Sequence, residues 1–143
     1  MSVLRRTATG AVAALAVVIS GPALTASAAT HHHHYNFKTL ASVSGGKLKG
    51  CKLHTTDSGP WKVKLRVDAS KASSKVAGAA QVTKDGSPAS ELWRSGWIRP
   101  GHRSRIATLT LPRGAGYAVM AGIGTEGMGD GDSFKASDLR RCH

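Results

Sequence analysis

Hydrophobic and polar residues alternate with a period of two along most of the chain after residue 60. The clearest segment is Trp61–Asp68 (WKVKLRVD), where Trp, Val, Leu and Val alternate with Lys, Lys, Arg and Asp. This pattern is typical of a strand with one face on a core and the other in water. Further strands are predicted over residues 76–83, 91–98, 105–111, 117–123 and 134–139.

Turn residues separate these strands. Asp85-Gly86 predicts a hairpin turn because both residues tolerate positive φ, and Arg99-Pro100-Gly101 predicts a second turn. The glycine-rich residues 124–131 are predicted to form a loop. No segment keeps helical spacing for three turns, so we expect an all-β domain over residues 48–143, built as a small antiparallel β-sandwich.

The chain begins with the features of a signal peptide over residues 1–28. Arg5 and Arg6 precede an apolar run at 10–19, and Ala26-Ser27-Ala28 matches a small-x-small cleavage site. Cleavage after Ala29 is a close alternative, and the paired arginines leave a twin-arginine export route open. The protein is therefore expected to be secreted and extracellular.

Two cysteines near the ends of the predicted domain indicate a disulfide. Cys51 and Cys142 are separated by 91 positions. An exported protein meets an oxidising environment, which favours a bond between them over two free thiols. We therefore expect the disulfide to join the two ends of the sandwich.

Residues 29–47 are predicted to be a flexible, histidine-rich leader, broken at Ser44-Gly45-Gly46. Within it, Tyr35, Phe37, Leu40 and Val43 could form one short edge strand. After cleavage at either site, the third residue of the processed chain is a histidine. A free amine, two backbone amides and a third-position imidazole form a square plane of nitrogens, the geometry that Cu(II) and Ni(II) prefer. The candidate metal-binding residues are Ala29, Thr30, His31, His32, His33 and His34. A leader without a metal-binding role and an inserted histidine tag are the alternative explanations.

The charge of the chain narrows the choice of partner. The formal net charge is +12, and removal of the signal peptide, which contains Arg5 and Arg6, lowers it to +10. Such a surface attracts anions, which outside a cell are wall polymers, lipid headgroups or polysaccharides rather than nucleic acid. A basic surface that only keeps the domain soluble is the alternative.

Two tryptophans are candidates for glycan binding. Trp93 and Trp97 are four apart in a predicted strand, so they should share one face at a separation of about 13 Å, suited to stacking on sugars. The alternative is that they fill the core. The arginines around them could grip anionic groups, and the candidates are Arg94, Arg99, Arg103 and Arg105.

Two sequence motifs resemble known sandwiches. The segment 111–117 (LPRGAGY) resembles the corner of immunoglobulin-like domains, in which a tyrosine hydroxyl bonds to upstream backbone. The cysteine spacing, with the WRSGWIRPG segment at 93–101, is similar to small bacterial cellulose- and chitin-binding modules. With its signal peptide and small size, the chain also resembles exported actinobacterial proteins. These resemblances imply an immunoglobulin-like fold, a bond from the Tyr117 hydroxyl and exposed tryptophans.

No catalytic pattern stands out. His54, Asp57 and Ser58 match no nucleophile motif, and the segment 127–133 lacks the closing glutamate of a calcium loop. We therefore expect a non-enzymatic, monomeric binding module for an anionic or glycan surface polymer, with no required cofactor. The alternatives are an N-terminal Cu(II)- or Ni(II)-binding protein and a secreted toxin-like or inhibitory effector.

Overall fold

A computed structural model describes residues 34–54 and 56–143. The predicted signal peptide and the metal candidates Ala29, Thr30, His31, His32 and His33 lie outside the described residues, whereas His34 is described and exposed. Within the described part of the chain, no helix is long and apolar enough to span a membrane.

Within residues 34–54 and 56–143, nine strands form two antiparallel sheets, which confirms the predicted all-β sandwich. The strands are β1 (Lys38–Val43), β2 (Gly46–His54), β3 (Trp61–Asp68), β4 (Val76–Lys84), β5 (Ser87–Pro88), β6 (Trp93–Ile98), β7 (Ala107–Leu111), β8 (Tyr117–Gly124) and β9 (Gly129–Phe134). Sheet I has the order β1-β2-β3-β7, and sheet II has the order β5-β4-β8-β9, with β6 pairing with β4 beyond the end of β5.

The core lies between the two sheets and consists mostly of alanine and valine side chains. Alternation places Leu65 and Val67 of β3 and Val82 of β4 on the inner faces, where all three are buried. The sheets approach so closely at Gly78 that a Cβ there would lie 2.5 Å from Cγ2 of Val67. Glycine at this position therefore allows the two sheets to pack.

The first hairpin replaces most of the predicted flexible leader and contains the short edge strand that the sequence allowed there. Residues 38–43 form β1, which pairs with β2 through a two-residue turn at Ser44-Gly45 with φ values of 48° and 79°. Positive φ at both turn residues gives a twist that matches the flanking strands. The glycines interpreted as a flexible break thus make a tight turn, and the sheet begins before the predicted start at Leu48.

The C-terminal part also differs from the prediction. The glycine-rich segment contains β9, because backbone pairing with β8 needs no side chains: Gly122 lies opposite Gly131, and Gly124 lies opposite Gly129. Residues Ala136–Asp138, predicted as strand, form a 3-10 turn instead. The side chain of Asp138 accepts a hydrogen bond from the Lys135 amide at 2.7 Å, which ends the extended backbone there.

The predicted disulfide between Cys51 and Cys142 is confirmed, and both residues are fully buried. Backbone hydrogen bonds beside the disulfide also join the C-terminal tail to β2. The Lys52 amide donates to the Arg140 carbonyl at 2.8 Å, and the Cys142 amide donates to the Lys52 carbonyl at 3.0 Å. The C-terminal tail therefore runs parallel to β2 and pairs with it beyond the start of β1.

Replacing Gly45 by alanine should destabilise the fold more than replacing Gly86. Both glycines have positive φ at the second position of a two-residue turn, at +79° and +82°, so each substitution should lower the free energy of unfolding by about 1–2 kcal/mol. At Gly45 a Cβ would also clash with the Lys71 carbonyl oxygen, whereas nothing lies within 4 Å of a Cβ at Gly86. The clash should cost Gly45→Ala about 1–3 kcal/mol more in urea unfolding. Equal losses would contradict this packing.

The Cys51→Ser/Cys142→Ser variant should lose up to about 4–5 kcal/mol of stability, because the bond closes a loop spanning 91 positions. The Tm should fall by on the order of 20 °C. Reduced wild type is the control and should show a similar loss in a thermal scan. If reduction leaves the Tm unchanged, the covalent link does not stabilise the sandwich.

Candidate functional site

The outer face of sheet I carries a cluster of cations. In the register of β2 and β3, Lys49 lies opposite Arg66, and Lys47 lies opposite Asp68. Because Leu65 and Val67 point into the core, the residues that alternate with them on β3 point outward. We call the resulting surface the basic face, formed by Lys47, Lys49, Lys62, Lys64 and Arg66.

The spacing of the basic face follows from strand geometry. Lys62, Lys64 and Arg66 succeed one another at about 6.6 Å along β3, and β2 lies about 4.8 Å to the side. The four strands of sheet I contain one carboxylate, Asp68. The charge on this face is therefore largely uncompensated.

Threonines on β7 hold two of the lysines in place. Nζ of Lys62 donates to Oγ1 of Thr110 at 2.8 Å, and Nζ of Lys64 donates to Oγ1 of Thr108 at 2.7 Å. A hydroxyl accepts one hydrogen bond from each ammonium group without neutralising it. An ammonium group has three N–H donors, so two donors of each lysine remain for other acceptors.

The ring of Phe37 packs against the third cation of β3. Cζ of Arg66 lies 4.9 Å from the centroid of the ring, within the range of a cation–π contact. This contact orients the guanidinium group and leaves its charge in place. Phe37 precedes β1 and lies in the segment predicted to be flexible.

Asp68 organises the end of the basic face. Its side chain is 6% exposed and accepts hydrogen bonds from Lys49 Nζ at 2.7 Å, Arg103 Nε at 3.2 Å and the Ser70 hydroxyl at 2.6 Å. Burial alone would raise the pKa of this carboxyl group. The hydrogen bonds from Lys49, Ser70 and Arg103 outweigh burial and hold the pKa well below its usual range.

The two tryptophans do not share a face, contrary to the prediction. Trp93 lies opposite Ala80 and packs against the core, whereas Trp97 lies opposite Ala77 and is 54% exposed. An irregular register between them inserts one extra residue into β6, and Gly96 there has a φ of 68°. This β-bulge reverses the alternation, so a two-tryptophan platform does not form.

The four predicted arginines are also separated. Arg94 and Trp97 line a shallow pocket of about 270 Å³ on the outer side of sheet II. Arg103 contacts Asp68 and so joins the end of the basic face. Arg99 and Arg105 are exposed on the connection between β6 and β7. The structure thus does not gather these arginines into one site.

A second group of cations surrounds Trp61, a residue that the sequence placed only in a strand. Lys52 Nζ and Arg113 Cζ lie 4.8 and 4.7 Å from the ring centroid, and the His54 ring lies 4.5 Å away. Burial lowers the pKa of Lys52, and nearby Arg141 lowers it further. These contacts occupy Trp61, so we do not assign it as a free stacking surface.

The predicted bond of the tyrosine corner is not formed. Within residues 34–54 and 56–143, the Tyr117 hydroxyl makes no hydrogen bond, and Lys84 Nζ lies 5.2 Å from the centre of its ring. The local resemblance to immunoglobulin-like corners therefore ends at the sequence. The same described residues contain no group of three or more His, Cys, Asp or Glu side chains placed to hold a metal ion.

Comparison with known proteins adds no relative to this picture. The chain matches no protein-family model, no curated protein and no solved structure. We therefore infer a functional site from the geometry of the described residues alone. The basic face is the larger of the two clusters of cations described above.

Alanine substitution should separate the roles of the two tryptophans. Trp93→Ala should lower the free energy of unfolding by about 2–3 kcal/mol, because the ring packs against the core. Trp97→Ala is the matched control and should cost less than about 1 kcal/mol, because its ring is largely exposed. Urea unfolding of both variants measures the difference. Comparable losses would show that Trp97 also supports the core.

Proposed function

We propose that this chain is a secreted binding module that holds an anionic polymer on the basic face of sheet I. The observation that supports the proposal is the set of five cations on two neighbouring strands, accompanied within the sheet by one carboxylate. The predicted signal peptide and the disulfide support an extracellular location, where wall polymers and acidic polysaccharides supply such ligands.

The shape of the basic face favours a polymer over a small ion. It follows β3 from Lys62 to Asp68, a length of about 20 Å at the rise of an extended strand. A ligand with anionic groups repeated every 6–7 Å would meet one cation after another. Several weak exposed contacts then add up along one chain, although each contributes at most about 1 kcal/mol.

A neutral glycan is the less supported ligand. Trp97 is exposed, but its predicted partner Trp93 faces the core. A single ring beside Ala77 and Ala79 offers stacking for one sugar rather than a platform. The N-terminal copper hypothesis stays a prediction, because His31, His32 and His33 lie outside the described residues.

The Lys62→Gln/Lys64→Gln variant should bind an anionic polymer about tenfold more weakly than wild type, because two ionic contacts to the polymer are removed. The probes are heparin and poly(glycerol phosphate), with Kd measured by calorimetry at several salt concentrations. Wild-type affinity should fall as salt rises, because exposed charges are screened within about 3 Å at 1 M.

The matched control is Lys75→Gln/Lys84→Gln, which removes the same charge from two exposed lysines outside sheet I. It should weaken binding by less than about threefold, the effect of net charge alone. Equal loss in the two double variants would overturn the assignment to the basic face. Binding to cellulose at high salt that Trp97→Ala abolishes would instead support the glycan reading.

A further inference from the structure

A small polar pocket lies at the Asp68 end of the basic face. Its volume is about 230 Å³, and its walls bring four cations together around one carboxylate. The cations are Lys47, Lys49, Lys71 and Arg103, so the pocket has a net charge of +3 with Asp68 ionised. We call it the cation pocket. Two of its members, Lys71 and Arg103, come from outside the basic face.

Three separate segments meet to form the cation pocket. The β1–β2 turn packs on the loop after β3, where the Ser73 amide donates to the Ser44 carbonyl at 2.9 Å. Gly45 lies so close to the Lys71 carbonyl that it leaves no room for a side chain. This contact brings Lys71 to the same pocket as Lys47 of β2.

The third segment is the connection between β6 and β7. The Val67 amide donates to the Ser104 hydroxyl at 2.9 Å, and the Ser104 amide donates to the Val67 carbonyl at 2.9 Å. These two bonds fix the neighbouring Arg103 in an antiparallel bridge with Asp68. The fold, rather than the local sequence, therefore sets the position of Arg103.

Asp68 orients the cations but leaves most of their donors unused. Arg103 contacts the carboxylate through Nε, and within the described part of the chain its terminal amino groups have no hydrogen-bond acceptor. Lys49 donates one of its three N–H groups to Asp68. A second anion can therefore bind the remaining donors without breaking the bonds to Asp68.

We propose that the cation pocket binds a tetrahedral oxyanion that carries two negative charges, namely a phosphate group. Such a group presents three or four acceptor oxygens in different directions, which suits four cations that surround a small volume. A carboxylate has one charge and two oxygens in a plane, so it would leave donors unpaired. The inference deepens the proposed function, because it assigns the terminal phosphate of a bound polymer, or a free phosphate ion, to a defined subsite.

The first experiment titrates the protein with inorganic phosphate, inorganic sulfate and acetate, followed by amide chemical shifts in NMR. We expect phosphate and sulfate to bind at least about tenfold more tightly than acetate, with shifts centred on residues 44–49, 68–71 and 103. Equal affinity for acetate would overturn the tetrahedral subsite.

The discriminating variant is Lys71→Gln, whose matched control is Lys75→Gln in the same loop. Both lysines are exposed, so both variants should fold with the wild-type Tm. Lys71→Gln should weaken phosphate binding about tenfold, whereas Lys75→Gln should change it by less than about twofold. Equal effects of the two variants would show that phosphate responds only to net charge, and the pocket would be rejected.

A third comparison separates the subsite from the proposed function and identifies the source of the phosphate. Poly(glycerol phosphate) with terminal phosphate groups is compared with the same polymer after phosphatase treatment. If the polymer end occupies the pocket, Lys71→Gln should weaken binding only of the untreated polymer. If free phosphate binds but phosphatase changes nothing, the ligand is the free ion. Loss of polymer binding in Lys62→Gln/Lys64→Gln with phosphate binding intact would show that the two sites act separately.

Discussion

The disulfide between Cys51 and Cys142 is the interaction on which the sandwich most depends, because the core it closes is made of small side chains. In the part of the chain that the structure describes, fifteen buried residues form the core cluster, and ten of them are alanine or valine. Small side chains remove little apolar area from water, so each contributes modestly. The disulfide closes a loop spanning 91 positions and restricts the conformations of the unfolded chain, which offsets the modest stabilisation from the core.

The same link supports the basic face. Cys51 lies opposite Lys64 in the register of sheet I, so its side chain is on the same outer side of the sheet, and the C-terminal tail pairs with β2 beside it. Like charges on neighbouring strands repel one another and weaken a sheet. The covalent bond and the tail hold β2 in place from this side. Asp68 at one end of the basic face and the threonines of β7 beside it accept hydrogen bonds from the cations, which reduces the remaining repulsion between them.

The sequence predicted the features that depend on alternation along a single strand. It did not predict those that depend on which residues of two paired strands lie opposite each other. The period of two located β3 and β8 and identified residues 62, 64 and 66 as a wet face. It could not show that Lys47 and Lys49 lie beside them, because no strand was predicted where β2 lies. The bulge in β6 has no signal in the pattern beyond Gly96, so the alternation was carried past it and paired Trp93 with Trp97 incorrectly.

The two candidate sites depend on the fold to different degrees. The cations of the basic face alternate along two paired strands, so they keep their spacing wherever that ladder is intact. The cation pocket needs three segments to meet at Asp68, whose pKa is held below its usual range. A carboxyl group with a lowered pKa stabilises the fold above its unfolded-state pKa of about 4, and this contribution is lost as the pH falls through the folded-state value. At neutral pH Asp68 is therefore ionised and keeps Lys49 and Arg103 in place, so the pocket is formed before an anion arrives.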